Sequence, residues 1–169
     1  DAFCKYVSLI RPEGVILVKH DDANIQDVLE GAVCKVETYG YLDGADWLIG
    51  GYRFEAGYCY FSLSYQGVKK ANFQLAMIGR HNAENAASVA ALSLKLGVTV
   101  DEINSAFKNF EGIKRRQEVV GVKNGVTVLD DFAHHPTAIR KTLEAVKEAY
   151  PGQRLWAVFE PWSATSKRK

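Results

Sequence analysis

The spacing of apolar residues changes several times along the chain, and each change predicts a different secondary structure. Apolar residues at helical spacing predict a short helix over residues 3–10, which a proline and a glycine end, and another over Ile25–Leu29. Short apolar runs at 15–18 and 33–39 predict buried strands. We therefore expect helix and strand to alternate in the first forty residues.

A period of two follows and predicts antiparallel strands. Residues 47–49 form a short strand that we expect Gly50-Gly51 to interrupt. Residues 59–65 and 71–77 alternate apolar and polar positions on either side of a Gln66-Gly67 turn. These strands are expected to pack one face against a common core.

Two amphipathic helices come next. The first is predicted over residues 81–96 and ends at Gly97, a residue suited to a left-handed cap. Its predicted buried stripe comprises Asn85, Val89, Leu92 and Leu96. The second helix begins at a capping box formed by Thr99 and Glu102.

The last fifty residues carry a different pattern. Strands are predicted at 119–122 and 126–129 around an Asn124-Gly125 turn, a helix begins at Pro136, and a buried strand follows at 155–159. Strand, helix and strand in this order form one βαβ unit. The predicted fold class is therefore α/β.

Two domains are the expected organisation. We place residues 1–117 in one domain and residues 118–169 at the start of a second, incomplete one, because about 50 residues seldom bury enough surface to fold alone. The chain has no initiator methionine, and we expect it to be a portion of a longer polypeptide.

Composition excludes several classes of protein. A formal net charge of +1 does not favour nucleic acid or a membrane surface as a partner, and no long apolar run predicts a membrane span or a secretion signal. The three cysteines are odd in number and lack CxxC spacing, which argues against a disulfide framework and against a thiolate metal site. These features are typical of a globular protein from a reducing, cytoplasmic compartment.

Polar residues that carry chemistry cluster at four places, the first being His81-Asn82-Ala83-Glu84-Asn85 at the start of a predicted helix. Asn82 and Asn85 are three residues apart and share one side of the first turns. Their carboxamides offer the paired donor and acceptor groups that read the edge of a nucleobase. The alternative is a helix cap at Asn82 with a half-buried Asn85.

The second cluster, Lys114-Arg115-Arg116-Gln117-Glu118, lies at the predicted domain boundary. Arginines at such a hinge can clamp phosphate oxygens. A solvated charge cluster, with Glu118 paired to one of the arginines, is the alternative.

The third cluster follows a predicted strand and precedes a helix, at the edge where open α/β sheets bind ligands. It comprises Asp130, Asp131, His134 and His135. A carboxylate there can accept a hydrogen bond from a ribose hydroxyl, and a histidine at a helix start can contact an anion. Capping by His135 before Pro136 is the alternative for that residue.

The fourth cluster, Glu160-Pro161-Trp162-Ser163-Ala164-Thr165, follows the second strand of the predicted βαβ unit. It should lie at the same sheet edge as the third cluster. Ser163 and Thr165 can contact a polar ligand there, and a turn capped by hydroxyl groups explains them equally well.

In order and spacing, the four clusters resemble the Mur ligase family. Mur ligases carry a His-Asn-x-x-Asn helix start, an Arg-Arg hinge and an Asp-Asp-aromatic-Ala-His stretch, which correspond to residues 81–85, 115–118 and 130–137. The double histidine before Pro-Thr resembles the branch that binds muramate, and Glu160-Pro161-x-Ser163 resembles the branch that recycles murein peptides. The resemblance implies the second half of a central ATP-binding domain followed by the first βαβ unit of a Rossmann-like C-terminal domain.

The resemblance also implies a reaction. ATP would phosphorylate the muramyl carboxylate of UDP-N-acetylmuramate, and the amine of the murein tripeptide L-alanyl-γ-D-glutamyl-meso-diaminopimelate would then displace phosphate. Such chemistry needs Mg²⁺ and cationic groups around the transferred phosphoryl group, and closure of the C-terminal domain to expel water. The implied partners are small molecules, with no nucleic acid and no membrane, and the oligomeric state is not indicated.

Roles for individual residues follow from the resemblance alone. Asn85 would contact adenine, Asp131 the ribose, and Arg116 the transferred phosphate. The implied cofactor-binding residues are His81, Asn82, Asn85, Arg116 and Asp131. The implied catalytic residues are Arg116 and His134, and the implied substrate-binding residues are His134, His135 and Ser163.

Four departures from the family pattern keep other interpretations open. The chain has no Gly-x-x-x-x-Gly-Lys-Ser/Thr phosphate loop, and the magnesium ligands are expected upstream of Asp1. Most of the C-terminal domain is expected beyond Lys169, and Trp162 stands where the murein-recycling branch usually has arginine. We therefore expect the polypeptide to be inactive alone. An L-alanine-adding ligase of the same branch and a nucleotide-binding module without catalysis are the alternatives.

Overall fold

A five-stranded mixed sheet forms the centre of the computed structural model, which describes residues 2–161. Its strands lie in chain order: β1 (Val15–Lys19), β2 (Lys35–Gly40), β3 (Trp47–Glu55), β4 (Tyr58–Tyr65) and β5 (Val68–Leu75). Strands β1 to β3 are parallel, and β3 to β5 are antiparallel. Strands β2 and β3 overlap at only two residue pairs, so the short connection 41–46 is enough to join them without a crossover helix.

Strand β3 continues through Gly50-Gly51, contrary to the prediction that the glycines would interrupt it. The register with β4 shifts between Gly50 and Arg53, and Gly51 has a positive φ of 59°. The glycine pair therefore forms a β-bulge, which bends the strand without ending it.

Five helices accompany the two sheets within the residues that the structure describes. They are α1 (Ala2–Ser8), α2 (Ile25–Leu29), α3 (Arg80–Lys95), α4 (Val100–Lys108) and α5 (Pro136–Ala149). Helix α4 begins at the predicted capping box, because the Thr99 hydroxyl accepts from the Glu102 backbone and the Glu102 carboxylate accepts from Thr99. Gly97, with a φ of 86°, follows the end of α3 as predicted.

The buried face of α3 differs from the predicted one. Val89, Leu92 and Leu96 are 54%, 41% and 76% exposed. The helix instead buries a stripe of small residues, which comprises Ala83, Ala86, Ala87, Ala90 and Ala91. Small side chains let the helix backbone approach the aromatic residues of the sheet closely. The size of the residues, rather than their hydrophobicity, therefore explains the orientation of α3.

The core lies between the sheet and helices α3 and α4. Phe73 is at its centre, with ring centroids 5.4 Å from Phe61 on β4 and 5.9 Å from Phe107 on α4. Helix α4 also covers the edge strand β5: the Asn104 side chain accepts from the Gln74 N–H and donates to the Asn72 carbonyl, at 3.1 Å each.

One buried carboxylate ties three strands to α3. Glu37 is 1% exposed, and its two oxygens accept from Lys35 and Lys95 at 2.7 and 2.8 Å and from Trp47 and Tyr65 at 2.8 and 2.9 Å. Burial by itself would raise the pKa of this carboxyl, but the surrounding donors outweigh that effect and lower it to about 2.

A separate hairpin and α5, here called the hairpin–helix unit, follow the residue 113–117 connector. Strands β6 (Glu118–Lys123) and β7 (Val126–Asp130) pair antiparallel around the predicted turn at Asn124-Gly125, whose positive φ angles of 52° and 78° are those of a type I′ turn.

The predicted strand at 155–159 is not formed, although the α/β fold class is confirmed. Residues 153–161 have no regular structure, and Trp156 and Val158 are 77% and 98% exposed. A strand needs a hydrogen-bonded neighbour, and within residues 2–161 β6 and β7 pair only with each other. The βαβ unit is therefore not closed within that range, and Trp162, Ser163 and Thr165 lie outside it.

Candidate functional site

A cleft of about 210 Å³ lies between the start of α3, the connector and the start of α5. It is lined by His81, Asn82, Asn85, Arg116, Gln117, Asp131, Ala133, Ala138, Lys141 and Thr142. All five residues that the family resemblance implied as cofactor-binding line this cleft. The fold thus brings together three sequence clusters that lie up to fifty residues apart.

The start of α3 presents its carboxamides to the cleft and does not use them as caps. Gly79 is the N-cap, with a φ of 94° and no side-chain cap. The Asn82 amide nitrogen donates to the Ile78 carbonyl at 2.8 Å and to the Gln117 side-chain oxygen at 2.9 Å. Asn85 is exposed. The alternative of a capping Asn82 with a half-buried Asn85 is therefore wrong.

The two arginines of the connector differ in their contacts. The Arg115 guanidinium pairs with Asp130 at 3.3 Å and lies over the Phe132 ring at 4.9 Å. Glu118 accepts from the Arg115 backbone N–H at 2.7 Å and does not pair with either guanidinium. Arg116 is exposed at the cleft, and no side chain within residues 2–161 pairs with its guanidinium. Arg116 is therefore the arginine that remains available to an anionic ligand.

Asp131 holds the connector against the end of β7. One carboxylate oxygen accepts from the Gln117 backbone N–H at 3.0 Å, and the other accepts from the Ala133 N–H at 2.7 Å. A carboxylate has about four acceptor positions, so two remain for a ligand hydroxyl. The Gln117 backbone that Asp131 holds is left-handed, with a φ of 54°, as is that of Arg115, at 60°. Such backbone persists where the surroundings impose it, and it concentrates at functional sites.

His81 lies half-buried on the cleft wall. Burial lowers the pKa of its imidazole, and the positive charge of Lys141 lowers it further. The carboxylates of Asp131 and Glu84 oppose this shift without cancelling it. The lowered pKa favours the neutral imidazole, which presents one donor and one acceptor nitrogen.

The two neighbouring histidines do not line this cleft. The His134 ring packs on Phe132, with centroids 5.0 Å apart, and its Nδ1 is 2.9 Å from the Phe132 carbonyl. His135 is the N-cap of α5, where its Nδ1 accepts from the Thr137 N–H at 3.4 Å. His135 thus has the capping role that was the alternative for this residue. Ser163, the third implied substrate-binding residue, lies outside the described range.

Helix α5 closes the far side of the cleft by packing on the start of α3. A Cβ added to Gly79 would be 2.4 Å from the Cβ of Ala145, so only glycine allows this approach. The Tyr52 hydroxyl donates to the Glu148 carboxylate at 2.6 Å. The pKa of the Tyr52 hydroxyl is raised, first by burial and second by this hydrogen bond to Glu148.

A second, larger cleft of about 620 Å³ adjoins the first and shares His81 and Lys141 with it. Lys141 ion-pairs with Glu84 at 3.6 Å, and Lys19 reaches the same carboxylate at 3.3 Å. This wall therefore carries ion-paired charges of both signs, from β1, α3 and α5.

The sequence interpretation named Gln117 within the second cluster without giving it a role, and it missed Lys141. Lys141 belongs to a stripe of α5 that faces α3, which comprises Ala138, Lys141, Thr142 and Ala145. This helical spacing was visible in the sequence beside the apolar stripe that includes Val146. Gln117 carried no signal beyond its place next to Arg116.

The described residues contain no group of three or more His, Cys, Asp or Glu side chains that could hold a metal ion. They also contain no helix long and apolar enough to cross a membrane. The three cysteines are not joined by disulfides.

Comparison with known families matches residues 1–93 to the Mur ligase middle domain and residues 115–168 to the Mur ligase glutamate ligase domain. The chain belongs to the Mur ligase family. The matches agree with a mixed α/β fold made of the middle and C-terminal parts of a Mur ligase.

Two curated relatives are UDP-N-acetylmuramate–L-alanine ligases. Those of Caldanaerobacter subterraneus and Clostridium acetobutylicum are each 38% identical to this Mur ligase chain over 95% of its length. The chain spans 35% of the length of each of these relatives.

Solved structures agree on the fold. A murein peptide ligase of Psychrobacter arcticus is 34% identical, with a TM-score of 0.65 over 95% of this chain and 34% of that one. A MurF protein of Acinetobacter baumannii has a TM-score of 0.73 over 86% of this chain and 32% of that one, at 23% identity.

Proposed function

We propose that this chain forms the nucleotide-binding cleft of an ATP-dependent amide ligase that acts on UDP-N-acetylmuramate in the bacterial cytoplasm. The observation that carries the proposal is the convergence of Asn82, Asn85, Arg116 and Asp131 on one cleft. In this proposal residues 1–117 belong to the central domain and residues 118–169 begin the C-terminal domain.

The chemistry of the cleft suits a nucleoside polyphosphate. Asp131 keeps acceptor positions for ribose hydroxyls after holding the connector. The carboxamides of Asn82 and Asn85 suit the edge of a base, and the guanidinium of Arg116 suits a phosphate. Bound ATP would supply the phosphoryl group that activates a carboxylate.

The chain's own residues would orient this nucleotide and exclude water. Arg116 would spread the negative charge of the phosphates, which is the main way proteins assist phosphoryl transfer. Packing of α5 on Gly79 closes one side of the cleft and would narrow the access of solvent to a bound nucleotide. The family resemblance puts the Mg²⁺ ligands upstream of Asp1, and residues 2–161 contain no metal-binding cluster of their own.

The amine substrate is proposed to be the murein tripeptide, on the resemblance of Glu160-Pro161-x-Ser163 and on the 34% identity to a murein peptide ligase. L-alanine is the second candidate, favoured by the 38% identity to two L-alanine ligases. Comparing kcat/KM of the full-length ligase for the tripeptide and for L-alanine, with UDP-N-acetylmuramate and ATP, decides between them. A preference for L-alanine would overturn the tripeptide proposal.

The nucleotide role is tested by Asp131→Ala in the full-length ligase that contains this chain. We expect ATP to bind roughly ten- to a hundredfold more weakly, because a hydrogen bond to a charged group contributes about 1.5–3 kcal/mol. Titration calorimetry measures the affinity, circular dichroism checks that the variant is folded, and Asp43→Ala, on an exposed loop, is the control. Unchanged ATP affinity in the folded variant would refute the role of Asp131.

A second test uses the 169-residue chain itself. With ATP, UDP-N-acetylmuramate and the tripeptide present, we expect it to release no phosphate, because the sequence contains no phosphate loop. Measurable turnover in a phosphate-release assay would contradict that expectation.

A further inference from the structure

The orientation of two carboxamides in the cleft is fixed by one backbone carbonyl. The Ile78 carbonyl can only accept, so the group 2.8 Å from it must be the amide nitrogen of Asn82. The same nitrogen is 2.9 Å from the Gln117 side chain, which must therefore turn its oxygen toward Asn82. A flip of either amide would oppose two donors or two acceptors.

This arrangement leaves one donor and one acceptor without partners. The amide nitrogen of Gln117 is buried and has no hydrogen-bond partner in the structure. The side-chain oxygen of Asn82 accepts no hydrogen bond from the residues between 2 and 161. A buried donor without a partner is costly, so its presence beside a cleft calls for a ligand.

The Gln117 side chain is also held in place from its backbone. Its left-handed φ of 54° is one that non-glycine residues seldom adopt, and Asp131 stabilises it by accepting from the Gln117 N–H at 3.0 Å. The residue that we propose as the ribose contact thus positions the residue that carries the free donor. Both line the same cleft.

We propose that Gln117 is a specificity-determining residue that makes the cleft select adenine over guanine, an inference that rests on the proposed nucleotide-binding function. The Gln117 amide nitrogen donates to a ring nitrogen beside the 6-amino group, either N1 or N7. The Asn82 oxygen accepts from the 6-amino group itself. The Gln117 nitrogen is buried in the structure, so this contact requires the atoms that cover it to shift when the base binds.

The selectivity follows from the edges of the two bases. Adenine presents an amino donor at C6 beside ring acceptors, whereas guanine presents a carbonyl acceptor there. Guanine would oppose its O6 to the Asn82 oxygen, and two acceptors repel. Sites with preorganised polar groups reject a ligand that leaves those groups unpaired.

Two substitutions distinguish two possible roles of Gln117: direct recognition of the base, and orientation of the Asn82 side chain. Gln117→Glu keeps an oxygen to accept from Asn82 but replaces the free donor with an acceptor. Gln117→Met has a similar length and removes both groups. Gln153→Glu, at an exposed position after α5, is the control for the added charge.

The experiment measures dissociation constants of ADP and GDP for the full-length ligase by titration calorimetry. We expect the wild type and Gln153→Glu to prefer ADP by roughly 10- to 100-fold, the discrimination typical of a paired amide contact. In both Gln117 variants the preference for ADP over GDP should fall by a factor of at least roughly ten. In the wild type either 1-deaza-ADP or 7-deaza-ADP should bind about tenfold more weakly than ADP, and Gln117→Glu should abolish that penalty.

The outcomes distinguish this inference from the function on which it rests. A ratio that falls in Gln117→Met but not in Gln117→Glu would show that Gln117 only supports Asn82, and it would overturn the inference. Unchanged ratios in both variants would do the same, even if Asp131→Ala still weakens ADP binding and the proposed function stands. No binding of ADP to the wild type would overturn both.

Discussion

Gly79 is the position where a single methyl group should separate α5 from α3. In Gly79→Ala the new Cβ would lie 2.4 Å from the Cβ of Ala145 and 3.0 Å from the His81 ring. The φ of 94° at Gly79 is in addition unfavourable for any residue with a Cβ. The substitution therefore combines backbone strain with a collision between the two sides of the cleft.

The control is Gly97→Ala, which also adds a Cβ to backbone with a positive φ but adds it in open space. Gly97 has a φ of 86° and no heavy atom within 4 Å of an added Cβ. Left-handed backbone costs a non-glycine residue about 1–2 kcal/mol, and inserting a group into a packed contact costs about 1–3 kcal/mol more. We expect Gly97→Ala to lower the free energy of unfolding by about 1–2 kcal/mol and Gly79→Ala by about 2–5 kcal/mol.

Urea unfolding of the two variants and of the double variant Gly79→Ala/Ala145→Gly tests the reasoning. Removing the Ala145 methyl should restore most of the packing part of the loss, which gives an interaction energy of about 1–3 kcal/mol in the double-mutant cycle. Equal losses for the two glycine variants, with no interaction energy, would refute the close packing of α5 on α3. In the full-length ligase, Gly79→Ala should also weaken ATP binding, and Gly97→Ala should not.

Two further predictions concern buried groups. The pKa of Glu37 is lowered from 4.5 to about 2 in the folded chain, so its ionised form should contribute about 3 kcal/mol of stability, present above pH 4.5 and lost as the pH falls toward 2. Between pH 7 and pH 3, urea unfolding should show a loss of stability about 2 kcal/mol larger in the wild type than in Glu37→Gln. Identical pH profiles would contradict this prediction. Cys59 is 0% exposed and burial raises the pKa of its thiol to about 11, so iodoacetamide should modify it at least roughly tenfold more slowly than the half-buried Cys4 and Cys34, as peptide mass spectrometry can measure, and equal rates would contradict its burial.

Elements specified by local chemistry could be predicted from the sequence. The capping box at Thr99 and Glu102 and the turn at Asn124-Gly125 depend on residues within a few positions of each other, and both formed as expected. A strand at 155–159 would depend on a neighbouring strand, which a local apolar pattern does not reveal. The prediction of that strand was therefore wrong. The prediction of the buried face of α3 was wrong because it was based on the largest apolar residues. It did not consider how closely small residues fit against aromatic ones.

The candidate site was predictable to a similar extent. Motif positions identified Asn82, Asn85, Arg116 and Asp131, and the fold brings all four to one cleft. Gln117 was not identifiable, because its importance arises from a hydrogen bond to a residue 35 positions earlier in the chain. The roles of these residues toward a nucleotide remain predictions that the proposed affinity measurements test.

The side chain of Asn104 has a consequence for how the sheet is completed. By satisfying the Gln74 N–H and the Asn72 carbonyl, it occupies hydrogen-bonding groups that an additional strand beside β5 would require. The outer edge of β1 has no such cover within residues 2–161. We therefore expect a strand that a longer polypeptide adds to this sheet to join beside β1, in the parallel half, because α4 occupies part of the edge of the antiparallel half.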